Sequence, residues 1–280
     1  MILRDQEGRS DEDVKLENAL TTNGGMIEGY GRSLLDVFKV KTIAEAMAEI
    51  RRRCNNNGEI DKSKIPDFRG IRIGDYLDLP SLDDGTTKFI WNDDYKNLRI
   101  LVSGFNHYKG HGDTENADNH ILFTFRHCVT TKRMNPTDTN AGGYNDTELK
   151  KYLEEVFALG LKQVIGDYLY SVRRLLSIGT GGSWAWYTNT VFLPTEREVW
   201  RSSVRAHPEW DGGTTGQYHI FVHTAYKVKR FNGSRNWWCS SPHGSVASYF
   251  CAVSSHIHAH YNAASSVGGV SPDSVKVNNV

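Results

Sequence analysis

Short stretches with a two-residue hydrophobic period are spread along the whole chain. Residues 70–79 alternate between apolar and polar positions, and residues 98–105 and 121–125 are short runs rich in branched and aromatic side chains, so all three are predicted strands. Residues 218–228 carry apolar or aromatic side chains at most even positions, which predicts a half-buried strand or hairpin arm. Asn232-Gly233 then predicts a tight hairpin turn.

A helical period is visible in residues 41–54. Thr42 is placed to cap this helix, with Glu45 as its capping-box partner. Apolar residues follow at helical spacing and form a narrow stripe: Ile43, Ala46, Met47 and Ile50. The stripe predicts either packing on the domain that follows or self-association with a second copy.

A longer helical period lies in the middle of the chain. Asn145 is predicted to cap its start, with Glu148 in the reciprocal position. Gly160 interrupts the apolar pattern, so we expect two successive helices. Two helices surrounded by short antiparallel strands and long loops indicate an α+β fold. We expect residues 1–65 to form a tail and a short helical appendage for attachment or oligomerisation, and residues 66–280 to form the main domain.

Charge and composition exclude several functional classes. The chain has 280 residues, with 33 basic and 33 acidic side chains, so no electrostatic footprint for nucleic acid is present. The polar N-terminus lacks the apolar region of a Sec-type signal peptide, and no apolar run is long enough for membrane insertion. Four cysteines do not make a disulfide framework, and we expect buried free thiols.

Residues 239–272 have an unusual composition. They contain no Lys, Arg, Asp, Glu, Gln, Met, Leu or Trp, and they mix Ser, Ala, His, Tyr, Val and Asn. Ser, Tyr, Asn and Gly are typical of recognition loops, because Tyr offers contact area with few rotors and Ser and Asn offer adaptable hydrogen bonds. An ordinary Ser-rich loop is the alternative interpretation. Phe250 and Val253 are predicted core residues, and Trp237 and Trp238 are predicted to lie in the core or at its rim.

Candidate ligand-binding residues come from this segment, although which of them point outward is open. They are His243, Val246, Tyr249, Ser255, His256, Ile257, His258, His260 and Asn262. His256, His258 and His260 alternate, so on a strand they would share one face and could hold one metal ion. The alternative is that they are three exposed positions without a metal.

No other stretch carries a specific chemical signature. Residues 106–120 hold several His and carboxylate side chains, but the spacing matches no zinc or EF-hand pattern, so a polar hairpin loop is the default over a metal loop. No Ser-His-Asp order, phosphate loop or paired-carboxylate signature is found. We therefore assign no catalytic residue, cofactor or metal, and we expect a protein that is not an enzyme.

Four blocks, in order, resemble a phage and bacterial family of uncharacterised domains related to formylglycine-generating enzymes. The blocks are residues 73–76 leading to 98–101, residues 144–153 with 156–157, residues 191–199, and residues 237–242 closed by 269–272. The resemblance covers about residues 70–275. The chain departs from the family pattern at Ser271, where arginine is usual, and in the pair Ser240-Ser241, where Arg-Ser is usual.

This resemblance implies a C-type lectin fold. Some members of the fold group are variable proteins of diversity-generating retroelements, in which template adenines are randomised and copied into the 3′ end of the gene. Lys, Glu, Gln, Met and Trp cannot arise from randomised Asn codons that end in a pyrimidine, and residues 239–272 lack all five. The resemblance thus favours exposed, randomised positions over a metal site for the three histidines.

The function that the resemblance implies is ligand binding by a diversified C-terminal face. We expect a phage or prophage tail adhesin, made in the bacterial cytoplasm and carried on a virion tail or cell surface. Its partner would be a host-cell or environmental surface protein or glycan, engaged by a homo-oligomer or tail assembly. The alternatives are a structural tail protein without a specific ligand and an oxidase that holds copper through Cys239 and Cys251.

Overall fold

The computed structural model describes residues 31–55, 67–68, 70–80, 82–83, 88–89, 98–114, 119–207 and 215–276. In this part of the chain the fold is mixed α+β, with many short strands and few helices. Much of the predicted tail and linker, residues 1–30 and 56–66, lies outside the described residues.

Six strands form the first sheet, in the order β12-β17-β7-β6-β3, with β9 also paired to β17. Their bounds are β3 Tyr76–Leu79, β6 Leu98–Phe105, β7 Ile121–Phe125, β9 Leu169–Tyr170, β12 Val191–Phe192 and β17 Asp273–Lys276. The predicted strands 98–105 and 121–125 are confirmed, and both are buried almost throughout.

Five strands form the second sheet, in the order β15-β14-β13-β16-β8. Their bounds are β8 Thr130–Lys132, β13 Trp237–Pro242, β14 Tyr249–Val253, β15 Ala259–Ala263 and β16 Gly268–Val270. The pairing of β13 with β16 is parallel, and the other pairings in both sheets are antiparallel.

Three two-stranded hairpins complete the strands: β1 Asp67–Phe68 with β2 Ile71–Arg72, β4 Leu82–Asp83 with β5 Lys88–Phe89, and β10 Val172–Ser177 with β11 Trp184–Asn189. The stretch 70–79, predicted as one strand, is divided between β2 and β3. Gly74 causes the break, because its φ of 87° forms a turn in the left-handed region that branched side chains avoid.

The N-terminal helices pack on this core. They are α1 Leu34–Phe38 and α2 Ile43–Asn55. The capping box of α2 is confirmed, since Thr42 Oγ1 accepts the Glu45 N–H at 3.2 Å and Glu45 Oε2 accepts the Thr42 N–H at 3.0 Å. Met47 and Ile50 are fully buried in the same core as the sheets. The apolar stripe is therefore used for packing within the chain.

The central helix α3 is continuous over residues 148–165, so the predicted break at Gly160 is wrong. It consists of α-helical Glu148–Tyr152, a π-helical stretch Leu153–Phe157 and α-helical Ala158–Ile165. Burial of the helix face that surrounds Gly160 outweighs its helix cost of about 1 kcal/mol. The helix ends instead at Gly166, whose φ is 69°.

The start of α3 differs from the prediction by two residues. Thr147, rather than Asn145, is the cap, and its Oγ1 accepts the Lys150 N–H at 3.1 Å. Asn145 lies in the short 3₁₀ helix Tyr144–Asp146 that precedes the cap. Thr147 has an extended backbone at the helix boundary, so its hydroxyl accepts an N–H of the first turn that would otherwise lack a partner. Asn145 cannot do this because it lies inside the preceding 3₁₀ helix.

Residues 218–228 are not a strand. They form two 3₁₀ helices, His219–Val222 and Thr224–Lys227. Tyr218 and Phe221, three residues apart, are both fully buried and stack with ring centroids 5.8 Å apart. Val222, which the alternating pattern placed inside, is 63% exposed. Packing of these aromatic rings at a three-residue spacing therefore overrides the weak period of two.

Candidate ligand-binding face

Half of the segment 239–272 is sheet, and the other half is loop and turn. Strands β13, β14, β15 and β16 account for the sheet, and three connections between them reach the surface: residues 243–248, 254–258 and 264–267. Phe250 and Val253 are fully buried, as predicted, and so are Trp238 and its neighbour Trp237. The exposed positions of the segment therefore lie in the connections, and the edge strand β15 is half-buried along its length.

Seven of the nine candidate residues are divided between two ends of the second sheet. His243, Val246 and Tyr249 lie at the end where the connection 243–248 meets the 264–267 connection, and the Ala264 N–H donates to the Ser248 carbonyl at 2.8 Å. Residues 255–258 lie in the turn at the opposite end of β14. A five-residue strand separates the two ends by roughly 15 Å. His260 and Asn262, on β15, lie between them.

The three alternating histidines do not share a strand face, which corrects the geometric premise of the metal hypothesis. His256 and His258 lie exposed in the turn, and only His260 belongs to β15. The turn closes locally, because the Ser254 N–H donates to the His258 carbonyl at 2.9 Å. Across the described residues, no three or more His, Cys, Asp or Glu side chains come together in an arrangement that could hold a metal ion.

An aromatic cluster lies at the first end of the sheet, and we define it as His243, Tyr249 and Tyr261 with Arg205. The two tyrosine rings stack with centroids 5.3 Å apart, and the His243 ring meets Tyr261 edge-on at 4.8 Å. The Arg205 guanidinium lies 5.5 Å from the centre of the Tyr261 ring. Both tyrosines are half-buried, so this aromatic cluster offers a rigid, partly exposed contact surface.

His243 is the support of the cluster rather than an outward-facing residue. Only 9% of it is exposed. Its Nδ1 accepts the N–H groups of Ser245 and Val246, each at 3.2 Å. Burial, together with Arg205, lowers the pKa of the His243 imidazole, which favours the neutral ring that this acceptor role needs. Val246, by contrast, is 36% exposed.

Asn140, outside the segment, holds the connection 243–248 through its backbone. Its Nδ2 donates to the carbonyl oxygens of Val246 and Tyr249 at 3.0 and 2.9 Å, and its N–H donates to the Ala247 carbonyl at 2.7 Å. The Thr180 hydroxyl donates to the His243 carbonyl at 3.1 Å. These contacts set the path of the backbone and leave the side chains of residues 245–247 exposed.

Glu196 fixes the neighbouring stretch that carries Arg205. It lies in helix α4, Glu196–Trp200, and its Oε2 accepts the N–H groups of Val204, Arg205 and Ala206, each at 2.8 Å. The Arg205 carbonyl in turn accepts the Gly244 N–H at 2.9 Å. A Cβ on Gly244 would lie 2.8 Å from the His207 nitrogen, so only glycine permits this approach.

The turn 254–258 is held by Asn236, whose Oδ1 accepts the Ser255 N–H at 2.9 Å. Within this turn Ile257 has a φ of 63°. Branched side chains avoid this left-handed conformation, which costs about 1–2 kcal/mol. Backbone strain of this kind is found at positions that serve function at a cost in stability.

Several residues of this face were not identified from the sequence. Tyr261 lies on the opposite side of β15 from His260 and shares its side with Tyr249 of β14, so the pairing of these two strands was needed to find it. Arg205 and Asn140 carry no local signal, because their contacts are with residues far away in the chain.

The cysteines that the oxidase alternative needs are Cys239 and Cys251. Both are fully buried, as is Cys128, and Cys54 is 3% exposed; none of the four forms a disulfide. No described helix combines the length and the apolar character that a membrane crossing requires.

Comparisons with protein-family models, with curated proteins and with solved structures found no match to the chain.

Proposed function

We propose that the protein is a non-enzymatic ligand-binding protein of the C-type lectin fold whose C-terminal face is diversified by a retroelement. It acts as a phage or prophage tail adhesin and engages a surface protein or glycan of a host cell. The resemblance of the four sequence blocks supports the lectin fold, and the mixed α+β architecture is compatible with it.

The observation that carries this proposal is the way in which the surface connections are anchored. The contacts of Asn140, Thr180 and Asn236 with these connections go to backbone atoms of the segment. Because backbone atoms are common to all residues, side chains at exposed positions can change without loss of these contacts. A rigid frame with interchangeable side chains is what a diversified binding face requires.

The strained backbone at Ile257 also supports the proposal. A sequence optimised for stability would place glycine or asparagine at a φ of 63°. Randomisation introduces residues without regard to backbone preference, so a branched residue there is an expected product. A structural tail protein without a ligand would have no reason to keep it.

The test is to sequence the 3′ end of this gene across its natural population and to compare the binding of the recovered variants. We expect substitutions at exposed positions whose side chains make no contact with the frame, and constancy at His243, Gly244, Cys251 and Gly268. The exposed positions expected to vary are Val246, Ala247, His256, His258 and Val267, and the strained position Ile257 is expected to vary with them.

Purified variants that differ only at those positions are then compared for adsorption to a panel of bacterial cell surfaces. Different adsorption patterns are expected. The proposal fails if the segment is as constant as helix α3, or if all variants adsorb to the same surfaces equally well.

A further inference from the structure

An open depression of about 460 Å³ lies beside the connection 264–267, outside the aromatic cluster. It is lined by residues from β8, from the first turns of α3 and from the connection itself: Lys132, Arg133, Glu148, Leu149, Tyr152 and Val267. Its volume falls within the range of small-molecule sites and exceeds that of one sugar ring. We call it the β8–α3 groove.

The two walls of the groove are set by buried contacts. The Trp238 indole lies beneath Gly268 so closely that a Cβ there would be 2.6 Å from its Nε1. The same Nε1 donates to the Lys132 carbonyl at 2.8 Å, which places Lys132 next to the start of β16. On the other side, the Thr147 cap sets the first turn of α3, from which Glu148 and Tyr152 extend. The groove is therefore preorganised.

The charges of the groove are only partly compensated. The Lys132 ammonium lies 4.0 Å from the centre of the Tyr152 ring and pairs with no carboxylate among the described residues. Arg133 and Glu148 approach at 3.9 Å, and both are at least half exposed. A loose pair of this kind contributes little to stability. The groove thus presents two cations against one carboxylate.

The apolar side chains provide the second half of a recognition surface. Leu149 is buried in the floor, Tyr152 is half-buried, and Val267 is 65% exposed at the rim. Sugar rings have apolar C–H faces that pack on such side chains, and their hydroxyl groups need planar polar partners, which Arg133 and Glu148 supply.

We infer that the β8–α3 groove binds an acidic sugar unit of a surface polysaccharide through its carboxylate. Lys132 and Arg133 bind the carboxylate, Glu148 accepts sugar hydroxyl groups, and Tyr152 and Val267 contact the ring face. This inference rests on the proposed function as a ligand-binding protein and gives that function a ligand class. Val267 belongs to the diversified segment, so its replacement would tune the choice of sugar.

The test measures binding of tetragalacturonate to the full-length protein by calorimetry, with its fully methyl-esterified form as the neutral control ligand. Lys132→Met removes the charge but keeps the apolar stem, and Lys162→Met, at an exposed position further along α3, is the matched control variant. Because a charge-assisted hydrogen bond is lost, we expect binding roughly tenfold weaker for Lys132→Met. Lys162→Met should bind like the unmodified protein, and the methyl ester should not bind.

The inference is overturned if tetragalacturonate does not bind, if the ester binds equally well, or if Lys132→Met has no effect. Polyglycerol phosphate forms a second arm, and its binding in place of the galacturonate would assign the groove to a phosphate polymer and contradict the inference. Failure in these assays alongside variant-dependent adsorption would leave the proposed function standing. If the protein binds the sugar but its segment 239–272 does not vary, the inference about the groove is supported and the proposed diversification is contradicted.

Discussion

At the scale of single residues, the proposed ligand-binding face combines buried side chains that hold the backbone with exposed side chains that do not. His243 and Asn140 are buried and satisfy backbone groups of the connection 243–248. Val246 is exposed, and Ile257 has a backbone conformation that a branched residue disfavours. The buried supporting residues therefore stabilise the face, and under the proposed function the exposed residues contact the ligand.

Replacing Ile257 with glycine should stabilise the protein. Glycine adopts a φ of 63° without strain, so relief of the left-handed conformation outweighs its greater flexibility in the unfolded chain, and we expect a gain of about 0.5–1 kcal/mol. Denaturant unfolding monitored by tryptophan fluorescence measures it. Val246→Gly, at a position without positive φ, is the control and should lower stability. Equal losses in both variants would show that Ile257 is not strained.

At the scale of elements, helix starts were the most local and most predictable features. Thr42 with Glu45 was recognised from its spacing, and the same spacing in Thr195 and Glu198 produces a complete capping box at α4. At α3 the same rule has two nearby candidates, Asn145 and Thr147. The fold decides between them, because the 3₁₀ helix before Thr147 determines where the extended cap residue falls.

Thr147→Ala should therefore destabilise the protein, whereas Asn145→Ala should have little effect. Thr147 loses its cap to the Lys150 N–H and its hydroxyl bond to the Tyr144 carbonyl, at 3.1 and 2.7 Å, and we expect a cost of about 1–2 kcal/mol. Asn145 has one long contact with Asn189 at 3.4 Å. Thermal unfolding of the two variants distinguishes them. A larger loss of stability for Asn145→Ala than for Thr147→Ala would contradict the assignment of Thr147 as the cap.

At the scale of the whole molecule, a buried polar network around Glu198 joins four separate parts of the chain. Glu198 pairs with Arg174 of β10 at 2.9 Å, accepts the Tyr108 hydroxyl at 2.9 Å and accepts the Thr215 hydroxyl at 3.2 Å. Tyr108 and Tyr218 share a hydrogen bond at 2.7 Å. All these groups are buried, so the network couples the unfolding of the four parts of the chain.

The network predicts a loss of stability in acid. Burial opposes ionisation of Glu198, but Arg174 and the nearby His107 outweigh it, so the pKa of Glu198 lies below its usual value of 4.5. A lowered folded-state pKa contributes stability that is fully present above pH 4.5 and is lost as the pH falls further. We expect Glu198→Gln to cost about 3–5 kcal/mol at pH 7, because Arg174 is left unpaired, and to cost progressively less below pH 4.5.

Free energies of unfolding between pH 3 and pH 7 for both proteins provide the measurement. Glu49→Gln is the control, because Glu49 pairs with Arg52 and Arg53 near the surface, where solvent screens the charges. Arg52 and Arg53 lower the pKa of Glu49 to about 2, but solvent screens this pair, so Glu49→Gln should cost much less than Glu198→Gln at pH 7. A Glu198→Gln cost that does not change with pH would contradict the assignment of the carboxylate to this network.

Local signals made much of the fold predictable. Strands β6 and β7 were identified from runs of branched and aromatic residues, and the buried positions of Phe250 and Val253 from their place in the chain. The stretch 218–228 was not, because ring packing of Tyr218 on Phe221 is a tertiary interaction. Of the face, the sequence indicated Tyr249 but not Arg205, whose position depends on Glu196.

The sequence by itself determined the mixed α+β class, the main strands, the α2 capping box and the segment from which a variable face could be built. These follow from hydrophobic period, cap spacing and composition, which act over a few residues. Only the tertiary structure decided that most of the candidate residues lie at two ends of one sheet, that His243 is buried, and that Asn140 anchors a loop more than a hundred positions away. These features depend on strand order and long-range packing, and neither is encoded in any local pattern.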